Sequence, residues 1–572
     1  MRWILEYLSP LKRRITIGIL VKVIGTLAEL MIPFLLTHIL DNVIVKNDIG
    51  SIVFYGVIMA IFAVIACAGN IVANRMAAKT TMIFSTNMRK NLFLKTLSLS
   101  ARSTDKYTIP SLESRITSDT YNVQNFVGMM QRMGIRAPIL LIGCTAITMI
   151  MDRRLSLVML ATAPFIFIII YSISRKGVPL YSDVQKSVDR MVRVVREDAQ
   201  GIRVIKALSK VDYENARYDS ANMTLMKKET RAGVIMGVVH PIMTMLMNLG
   251  IVAVIGFSAY FVANGVSKAT TVIAFMQYFT LISMAMMSLS RMFVMYTKCA
   301  ASAKRISMVM ESEDELKVTP DDGRGDSSLH ISFESVSFSY LGKKENLKNI
   351  SFGIKRGESL GIIGATGSGK STLLRLLMRF YDSDSGTVRI NGRDVRSYGK
   401  EELASIFGVV FQNDFIYADT IEENIRFGRD IPHEDIVTAA KIAQAHDYIT
   451  AFKDGYSHTV STAGTNLSGG QRQRLLISRA IAARPEILIL DDSSSALDYK
   501  TDAALRQALA EGLPGSTFIT VAQRVSSVKS CDLILVIDEG EIIGCGRHEE
   551  LMENCPEYKE ISDSQMGGAF LD

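Results

Sequence analysis

Six apolar runs in the first 300 residues constrain the fold of this chain more than any other feature. They lie at about 15–40, 51–74, 137–151, 155–174, 232–265 and 269–290. A helix needs about 20 apolar residues to cross a bilayer, and it satisfies all of its own backbone hydrogen bonds in lipid. Buried helices of a soluble protein are a weak alternative for runs of this number and length. The pattern predicts an all-α membrane domain of six transmembrane helices, in which the third run is short unless a preceding helix continues into it.

Lysine and arginine residues are distributed unevenly between these runs. Residues 75–136 carry ten of them and residues 175–231 carry thirteen, whereas the alternate loops carry four. Under the positive-inside rule, the two basic segments and both termini are therefore cytoplasmic. No cleavable signal sequence is expected at the N-terminus. We expect a multi-pass protein of the plasma membrane, and basic inner segments without a targeting sequence fit a bacterial one.

The two basic segments have helix-forming composition at 75–100 and 176–206. About 26 helical residues extend roughly 39 Å at 1.5 Å per residue. Such extensions can carry motion between a membrane domain and a cytosolic domain. The alternative is that they are solvated helical hairpins without a coupling role.

One carboxylate, Glu29, lies inside the first predicted span. An ionisable side chain in a bilayer is costly, which makes Glu29 a candidate for binding a cationic substrate or a proton. The alternative is a carboxylate satisfied by neighbouring helices or placed beside an aqueous cavity, and the sequence leaves both open. Ten methionines between residues 236 and 295 offer a flexible, polarizable surface to varied apolar ligands. Most of them are nevertheless expected to pack between helices or against lipid.

Residues 361–372 have the sequence Gly-Ile-Ile-Gly-Ala-Thr-Gly-Ser-Gly-Lys-Ser-Thr, which contains the phosphate-loop pattern G-x-x-x-x-G-K-[ST]. An apolar run precedes the loop and a helical pattern follows it. Such a loop points backbone N–H groups at an anion, and the helix N-terminus adds partial positive charge. Lys370 is then expected at the β- and γ-phosphates and Ser371 at Mg²⁺. The residues expected to hold the nucleotide here are Gly364, Thr366, Gly367, Ser368, Gly369, Lys370, Ser371 and Thr372. A glycine-rich turn without a ligand is the alternative, which the flanking strand and helix disfavour.

The boundary between the two halves lies in residues 311–329, which are acidic and rich in Gly, Ser and Pro. After it, strands alternate with helices around the phosphate loop, which predicts an α/β P-loop ATPase domain. We therefore divide the chain into a transmembrane domain at 1–310, a linker at 311–329 and a nucleotide-binding domain at 330–572. Six cysteines lack metal-ligand spacing and predict neither a zinc site nor a disulfide framework. The net charge of +7 is unevenly placed, and no nucleic-acid partner is expected.

Further motifs accompany the phosphate loop in a fixed order. An aromatic residue, Tyr340, ends the segment 336–340, and Gln412 follows the apolar residues 409–411. Residues 467–471 have the sequence Leu-Ser-Gly-Gly-Gln, and residues 487–491 have the sequence Ile-Leu-Ile-Leu-Asp. Here the chain closely resembles ATP-binding cassette (ABC) transporters, and with its membrane half it resembles the half-transporters of the exporter type. The resemblance covers nearly the whole chain.

The resemblance implies a role for each of these motifs. Tyr340 would stack on adenine, and Gln412 would contact Mg²⁺ and face the membrane domain. Asp491 would bind Mg²⁺ through water. The signature residues Ser468, Gly469, Gly470 and Gln471 would close on ATP held by the phosphate loop of another subunit. Residues 495–498, Ser-Ala-Leu-Asp, match the D-loop, which places Asp498 at the dimer interface.

Two positions depart from the family pattern. The catalytic glutamate that follows the Asp491 position is replaced by Asp492, and the switch histidine is replaced by Gln523. A general base must lie within hydrogen-bond reach of the attacking water, and aspartate is shorter than glutamate by one methylene, roughly 1.5 Å. A glutamine can donate a hydrogen bond but carries no positive charge. Both changes affect the hydrolysis step, although they could be tolerated variants in an active site.

The matches and departures together imply an asymmetric pair. The chain resembles the degenerate-site subunit of a heterodimeric, multidrug-exporter-like ABC transporter, with ATP and Mg²⁺ as cofactors. Its partner would be a second half-transporter that supplies the missing glutamate and histidine. The alternatives are a slow homodimeric exporter or lipid flippase, and a non-transporting ATP sensor that regulates a membrane complex. A small lipophilic or cationic substrate fits the membrane half, while lipids and peptides are not excluded.

Overall fold

Long α-helices occupy most of the chain before residue 311. Their bounds are α1 (Arg2–Leu8), α2 (Lys12–His38), α3 (Ile49–Leu97), α4 (Ala101–Tyr107), α5 (Ile109–Ser114), α6 (Thr120–Met151), α7 (Arg153–Ala207), α8 (Val211–Gly237), α9 (Val239–Ala263) and α10 (Thr271–Met310). Asp48 caps α3 and Asp152 caps α7, each carboxylate accepting from two backbone N–H groups of the first turn. The predicted helical segments 75–100 and 176–206 lie largely within α3 and α7.

The computed structural model describes residues 2–46, 48–264, 270–312, 316–340, 342, 344–493 and 497–567. Some side chains inside helices lie outside this description, at residues 2, 158, 162, 163, 166, 167, 169–171, 173–178, 239, 240, 243, 247, 262, 290, 499, 566 and 567.

Five helical stretches in the described chain are long and apolar enough to cross a membrane: Trp3–Lys46, Ile49–Leu97, Ile109–Met151, Thr244–Phe261 and Thr271–Met310. The third predicted run does continue from a preceding helix, because α6 is unbroken from Thr120 to Met151. The predicted fourth span, at 155–174, lies in α7, where many of its side chains fall outside the described residues. The count of six spans therefore stays a prediction.

The chain divides into two compact units. Unit 1 comprises Met1–Ser98 and Thr108–Ser312, and unit 2 comprises Leu99–Tyr107 and Glu313–Asp572. The short helix α4 thus belongs with the residues that follow 313, although it lies among the helices of unit 1 in sequence.

Helices α2 and α3 of unit 1 approach each other closely at a pair of glycines. A β-carbon on Gly69 would lie 3.0 Å from the α-carbon of Gly25. Small residues at a crossing let two backbones approach, which is a common packing device in membrane helices. A second anchor lies between α2 and α10, where the buried Tyr278 hydroxyl donates to the Leu30 carbonyl oxygen at 2.8 Å. These contacts fix α2 against its neighbours.

Unit 2 contains two sheets. Their strands are β1 (Ile331–Phe338), β2 (Leu347–Ile354), β3 (Ser359–Ile363), β4 (Ser385–Ile390), β5 (Arg393–Asp394), β6 (Phe407–Val410), β7 (Ile487–Asp491), β8 (Thr517–Val521), β9 (Leu533–Asp538) and β10 (Glu541–Gly546). The four-stranded sheet is antiparallel with order β2-β1-β4-β5, and the six-stranded sheet has order β10-β9-β3-β8-β7-β6. Strands β9 to β6 of the larger sheet are parallel, and β10 is an antiparallel edge.

Helices surround the parallel strands of unit 2, in agreement with the predicted α/β class. They are α11 (Lys370–Leu377), α12 (Lys400–Ile406), α13 (Ile421–Arg426), α14 (His433–Ile442), α15 (His446–Thr450), α16 (Gly469–Ile481), α17 (Tyr499–Gly512), α18 (Val525–Val528), α19 (His548–Asn554) and α20 (Pro556–Gly567). All five residues of β7 are buried, as expected for a central parallel strand. Ala101 of α4 packs against the core formed by the two sheets and α11.

Candidate nucleotide-binding and hydrolysis site

The carboxyl ends of four neighbouring parallel strands meet at one edge of the larger sheet. Strand β3 leads into the phosphate loop, β8 into Gln523, β7 ends at Asp491, and β6 precedes Gln412. Ligands of open parallel sheets bind beyond the carboxyl ends of the strands. A cavity at this edge is lined by Asn346, Thr366, Gly367, Gly369, Lys370, Ser371, Thr372, Gln412, Asp491, Asp492, Val521, Ala522 and Gln523. The topology therefore gathers the predicted phosphate, magnesium and hydrolysis residues in one place.

Glycines shape the phosphate loop. Gly364, Gly367 and Gly369 have φ angles of 154°, 86° and 113°. A β-carbon on Gly364 would lie 2.0 Å from the carbonyl oxygen of Ile537, so this position admits glycine alone. The Ser368 hydroxyl is buried and has no hydrogen-bond partner among the described residues. A buried hydroxyl without a partner, in a glycine loop that opens a helix, suits a phosphate oxygen.

The side chain of Lys370 lies over the same loop. Its Nζ donates to the carbonyl oxygens of Gly364 and Ala365 at 2.9 and 2.8 Å. Burial lowers the pKa of Lys370, and the charges of Asp491 and Asp492 oppose that shift. Because phosphate oxygens are stronger acceptors for an ammonium than neutral carbonyls, the arrangement suits a polyphosphate.

A magnesium position is indicated by Asp491 and Ser371. The Ser371 hydroxyl donates to Asp491 Oδ2 at 3.4 Å. Burial raises the pKa of Asp491, while the Ser371 hydrogen bond lowers it and the Asp492 charge raises it further. Mg²⁺ is usually held by one or two carboxylates together with substrate phosphates and water. In the described part of the chain, no group of three or more His, Cys, Asp and Glu side chains gathers to hold a metal. The residues present therefore fit magnesium that arrives with a nucleotide.

Asp492 lies between two amide side chains. Its Oδ2 accepts from Gln523 Nε2 at 3.2 Å and from Gln412 Nε2 at 3.4 Å. Its backbone has a φ of 51°, a left-handed conformation that aspartate tolerates better than most residues, and its N–H donates to the Val521 carbonyl at 2.9 Å. The two departures from the family pattern thus contact each other, and Asp492 also contacts Gln412.

The predicted adenine-stacking residue, Tyr340, belongs to a polar and aromatic group. Its hydroxyl donates to Thr372 Oγ1 at 3.2 Å and accepts from Arg375 at 3.0 Å. Its ring packs edge-on against Tyr381 with the centroids 5.1 Å apart, and the Tyr381 hydroxyl donates to Asp105 of α4. The aromatic group therefore links the phosphate-loop helix α11 to α4, a connection that the sequence analysis missed.

The signature residues lie apart from this cavity. Ser468 is the N-cap of α16: its hydroxyl accepts from the Gln471 N–H at 3.3 Å, and Gln471 Oε1 accepts from the Ser468 N–H at 2.9 Å. Gly469 and Gly470 form the first turn of that helix. Asp498 caps α17 through Thr501, and the backbone and hydroxyl hydrogen bonds lower its pKa. Ser495 and Ala496 lie outside the described residues. None of the described signature residues lines the phosphate-loop cavity.

One further residue at the site was missed by sequence reasoning. Gln565 of α20 accepts from the Val525 N–H at 2.8 Å and donates to the Gln523 carbonyl oxygen at 2.9 Å. The Gln565 amide thus forms hydrogen bonds with two residues of the segment that carries the switch position. No sequence signal indicated this contact, because Gln565 lies 42 residues from Gln523 in a short polar helix.

Comparisons with known proteins agree with this geometry. A family model of the ABC transporter transmembrane region matches residues 15–286, and a second family model, described as ABC transporter, matches residues 347–495. The chain is 34% identical over 567 residues to the uncharacterized ABC transporter ATP-binding protein YfiB of Bacillus subtilis, covering 98% of each chain. The chain belongs to the ABC transporter family. It is also 31% identical over 569 residues to an uncharacterized ABC transporter ATP-binding protein of Mycobacterium tuberculosis.

A solved structure of a bacterial Atm1-family ABC exporter with ATP bound resembles this ABC transporter along its whole length. The TM-score is 0.84 at 22% identity, over 97% of this chain and 98% of that chain. A likeness at this identity shows the fold, a helical membrane domain followed by a nucleotide-binding domain of the exporter type. This ABC transporter is therefore a multi-pass membrane protein whose ATP-binding domain makes it an ATPase-coupled transporter.

The predicted substrate residue Glu29 does not stand alone in this ABC transporter. Its carboxylate accepts from Arg136 of α6 in two hydrogen bonds, at 2.6 Å to Nη2 and 3.3 Å to Nε. The structure therefore agrees with the alternative in which a neighbouring helix supplies hydrogen-bond donors to this carboxylate. Unit 1 therefore does not present Glu29 as an unpaired negative charge for a cationic substrate.

Proposed function

We propose that this chain is one half of a heterodimeric ABC exporter, in which its own ATP site hydrolyses slowly and its signature serves a partner half. The observation that carries the proposal is the pair of Asp492 and Gln523, with the Asp492 carboxylate accepting from two amides. The partner would supply a glutamate and a histidine at the corresponding positions.

The physical reason lies in reach and charge. ATP with Mg²⁺, when bound, supplies the phosphoryl group that passes to water. A base at position 492 must reach that water, and the aspartate carboxylate ends about 1.5 Å nearer its own backbone than a glutamate would. Gln412 and Gln523 also both donate to its Oδ2. Loss of a positioned general base typically lowers a rate by about 10²–10⁴-fold.

The proposed roles of the remaining site residues follow from their positions. The phosphate loop and Lys370 hold the nucleotide phosphates, Ser371 and Asp491 hold magnesium, and Tyr340 stacks on adenine. The signature at 468–471 and Asp498 face the partner. Because Ser468 already caps α16, its hydroxyl and the neighbouring N–H groups are presented by a rigid helix end.

For the substrate, we propose a lipophilic compound, moved outward across a bacterial plasma membrane with both termini of the chain in the cytoplasm. The methionine-rich later helices support an apolar ligand. The ion pair of Glu29 with Arg136 supports a compound that is not bound through the Glu29 charge.

A slow homodimeric exporter is the second candidate. The intact Leu-Ser-Gly-Gly-Gln signature at 467–471 favours it, because two copies of the chain would bring this signature to two phosphate loops.

ATP hydrolysis by the purified chain separates these candidates. We expect little activity from the chain alone in detergent or nanodiscs, and strong activity when it is co-expressed with a half-transporter that carries the glutamate and histidine. The Lys370→Ala variant controls for contaminating ATPases. Strong turnover by the chain alone that this variant abolishes would defeat the heterodimeric proposal.

A further inference from the structure

A cluster of charged side chains lies between α2, α3 and α6 of unit 1. Lys22 of α2 is buried, with 4% of its surface exposed, and its Nζ donates to Asn70 Oδ1 at 2.7 Å and to Asn74 Oδ1 at 3.2 Å on α3. Neither partner carries a charge. A buried ammonium in a membrane-spanning helix is therefore solvated by two neutral amides.

Two arginines of α6 lie close to this lysine. Arg136 is paired with Glu29, and about 38% of its side chain remains exposed. Arg132 lies one turn earlier, is exposed, and donates through Nε to the Gly128 carbonyl oxygen of its own helix at 3.1 Å. Arg136, Glu29 and Arg132 all lie within electrostatic range of Lys22.

The charges of this cluster do not balance. Lys22, Arg132 and Arg136 contribute three positive charges, and Glu29 is the only acidic residue in the sequences of α2, α3 and α6. An ionised group inside a membrane domain is costly unless it is paired, and it is usually retained for a function. The cluster therefore has an excess of two positive charges for which these helices offer no carboxylate.

The positive-inside rule accounts for Arg132 and Arg136, which belong to the basic segment 75–136, but it does not account for the orientation of Lys22. Basic residues that only set orientation extend their ends towards lipid headgroups and water. Lys22 instead points between helices, where the Asn70 and Asn74 amides hold it beside the close crossing of Gly25 and Gly69. A buried, oriented cation beside two arginines is an arrangement that attracts an anion.

We propose, on the basis of the exporter function given above, that Lys22, Arg132 and Arg136 form an anion subsite for the transported compound. The exposed parts of the two arginines contact the anion, and the buried lysine adds attraction at longer range. Guanidinium groups bind carboxylate, sulfonate and phosphate oxygens in two-pronged hydrogen bonds.

The surroundings of the arginines select an amphiphilic anion. Met129 lies three residues before Arg132, and Met133 lies three residues before Arg136, so the methionines and the arginines share one side of α6. Met133 is 37% exposed. A flexible thioether surface next to cations suits an organic body with one anionic group. Such a ligand is either a free amphiphile or an anionic lipid headgroup.

Two xanthene dyes of similar shape test the charge preference: fluorescein is an anion at neutral pH, and rhodamine 123 is a cation. Fluorescence anisotropy would follow binding of each dye to the full chain in phosphatidylcholine nanodiscs, with its partner if one is co-purified. We expect fluorescein to bind more tightly than rhodamine 123. The Arg132→Gln variant should weaken fluorescein binding about tenfold or more, the scale of one charge-assisted hydrogen bond, and Arg132→Lys should retain part of the affinity.

Matched controls keep this test independent of folding and of the exporter proposal. Lys79→Gln removes an exposed cation from α3 outside the cluster and should leave fluorescein binding unchanged. The Lys22→Gln variant tests the buried charge, while the exposed Arg132 carries the test if that variant fails to fold. Because binding is measured without hydrolysis, the ATPase experiment above succeeds or fails separately.

One outcome of this test distinguishes two sources of the anion, and other outcomes would contradict the subsite. If nanodiscs containing phosphatidylglycerol displace fluorescein from the wild-type chain, the subsite takes a lipid headgroup; if they do not, it takes a free amphiphile. Equal or tighter binding of rhodamine 123, no binding of fluorescein, or equal effects of Arg132→Gln and Lys79→Gln would each overturn the proposal.

Discussion

The contact between Gln565 and the switch segment allows a prediction with a defined size. The Gln565→Ala variant removes two hydrogen bonds, at 2.8 Å from the Val525 N–H and 2.9 Å to the Gln523 carbonyl. Each neutral hydrogen bond contributes about 0.5–1.5 kcal/mol net, so the pair contributes about 1–3 kcal/mol. A factor of ten corresponds to about 1.4 kcal/mol, and local opening of residues 522–528 should become about 5–150-fold more frequent.

Hydrogen–deuterium exchange with mass spectrometry measures this opening directly. The peptide that covers residues 522–528 should exchange faster in Gln565→Ala, because the Val525 amide loses its acceptor. Ser564→Ala is a matched control on the same helix, since the Ser564 hydroxyl donates to the Ile561 carbonyl within that helix. Unchanged exchange in Gln565→Ala, or the same acceleration in Ser564→Ala, would refute the view that α20 positions the switch segment.

Further outcomes follow from other contacts. Lys370→Ala should weaken binding of a fluorescent ATP analogue at least tenfold, because it removes a charge-assisted contact; unchanged affinity would contradict the loop assignment. Burial lowers the pKa of His330, so the unfolded chain binds more protons below about pH 6.5 and the melting temperature should fall there, less so in His330→Asn. Equal pH dependence of the two melting curves would contradict this. Tyr381→Phe removes the hydrogen bond to Asp105 and should raise exchange in 101–107 about tenfold; unchanged exchange would exclude that anchor.

Sequence patterns within one continuous segment predicted those parts of the site that such a segment forms by itself. The phosphate loop was predicted from its glycine pattern between a strand and a helix, and the structure shows positive φ angles at Gly364, Gly367 and Gly369. The α/β order of unit 2 followed from alternating strand and helix patterns. The third apolar run was too short to span a membrane unless a preceding helix continued into it, and the continuous helix α6 meets that condition.

Contacts between distant segments could not be predicted in the same way. Glu29 was recognised as costly in a membrane, but its partner Arg136 lies 107 residues away, and one sequence carries no signal for such a pair. The same holds for Gln565 and for the hydrogen bond between Asp105 and Tyr381. Such contacts depend on how helices pack, and a polar residue in a helix is compatible with many partners until that packing is known.

The placement of α4 in unit 2 has a consequence for any attempt to isolate the ATPase half. A fragment that begins after the linker would lack residues 99–107, and the surface that Ala101 covers would face solvent. Phe380 and Phe411 line a depression beside that surface, together with Ala101 and Asp105. A truncated fragment would therefore expose an apolar surface that favours aggregation. Adding the nine-residue peptide 99–107 in trans should improve the solubility of that fragment.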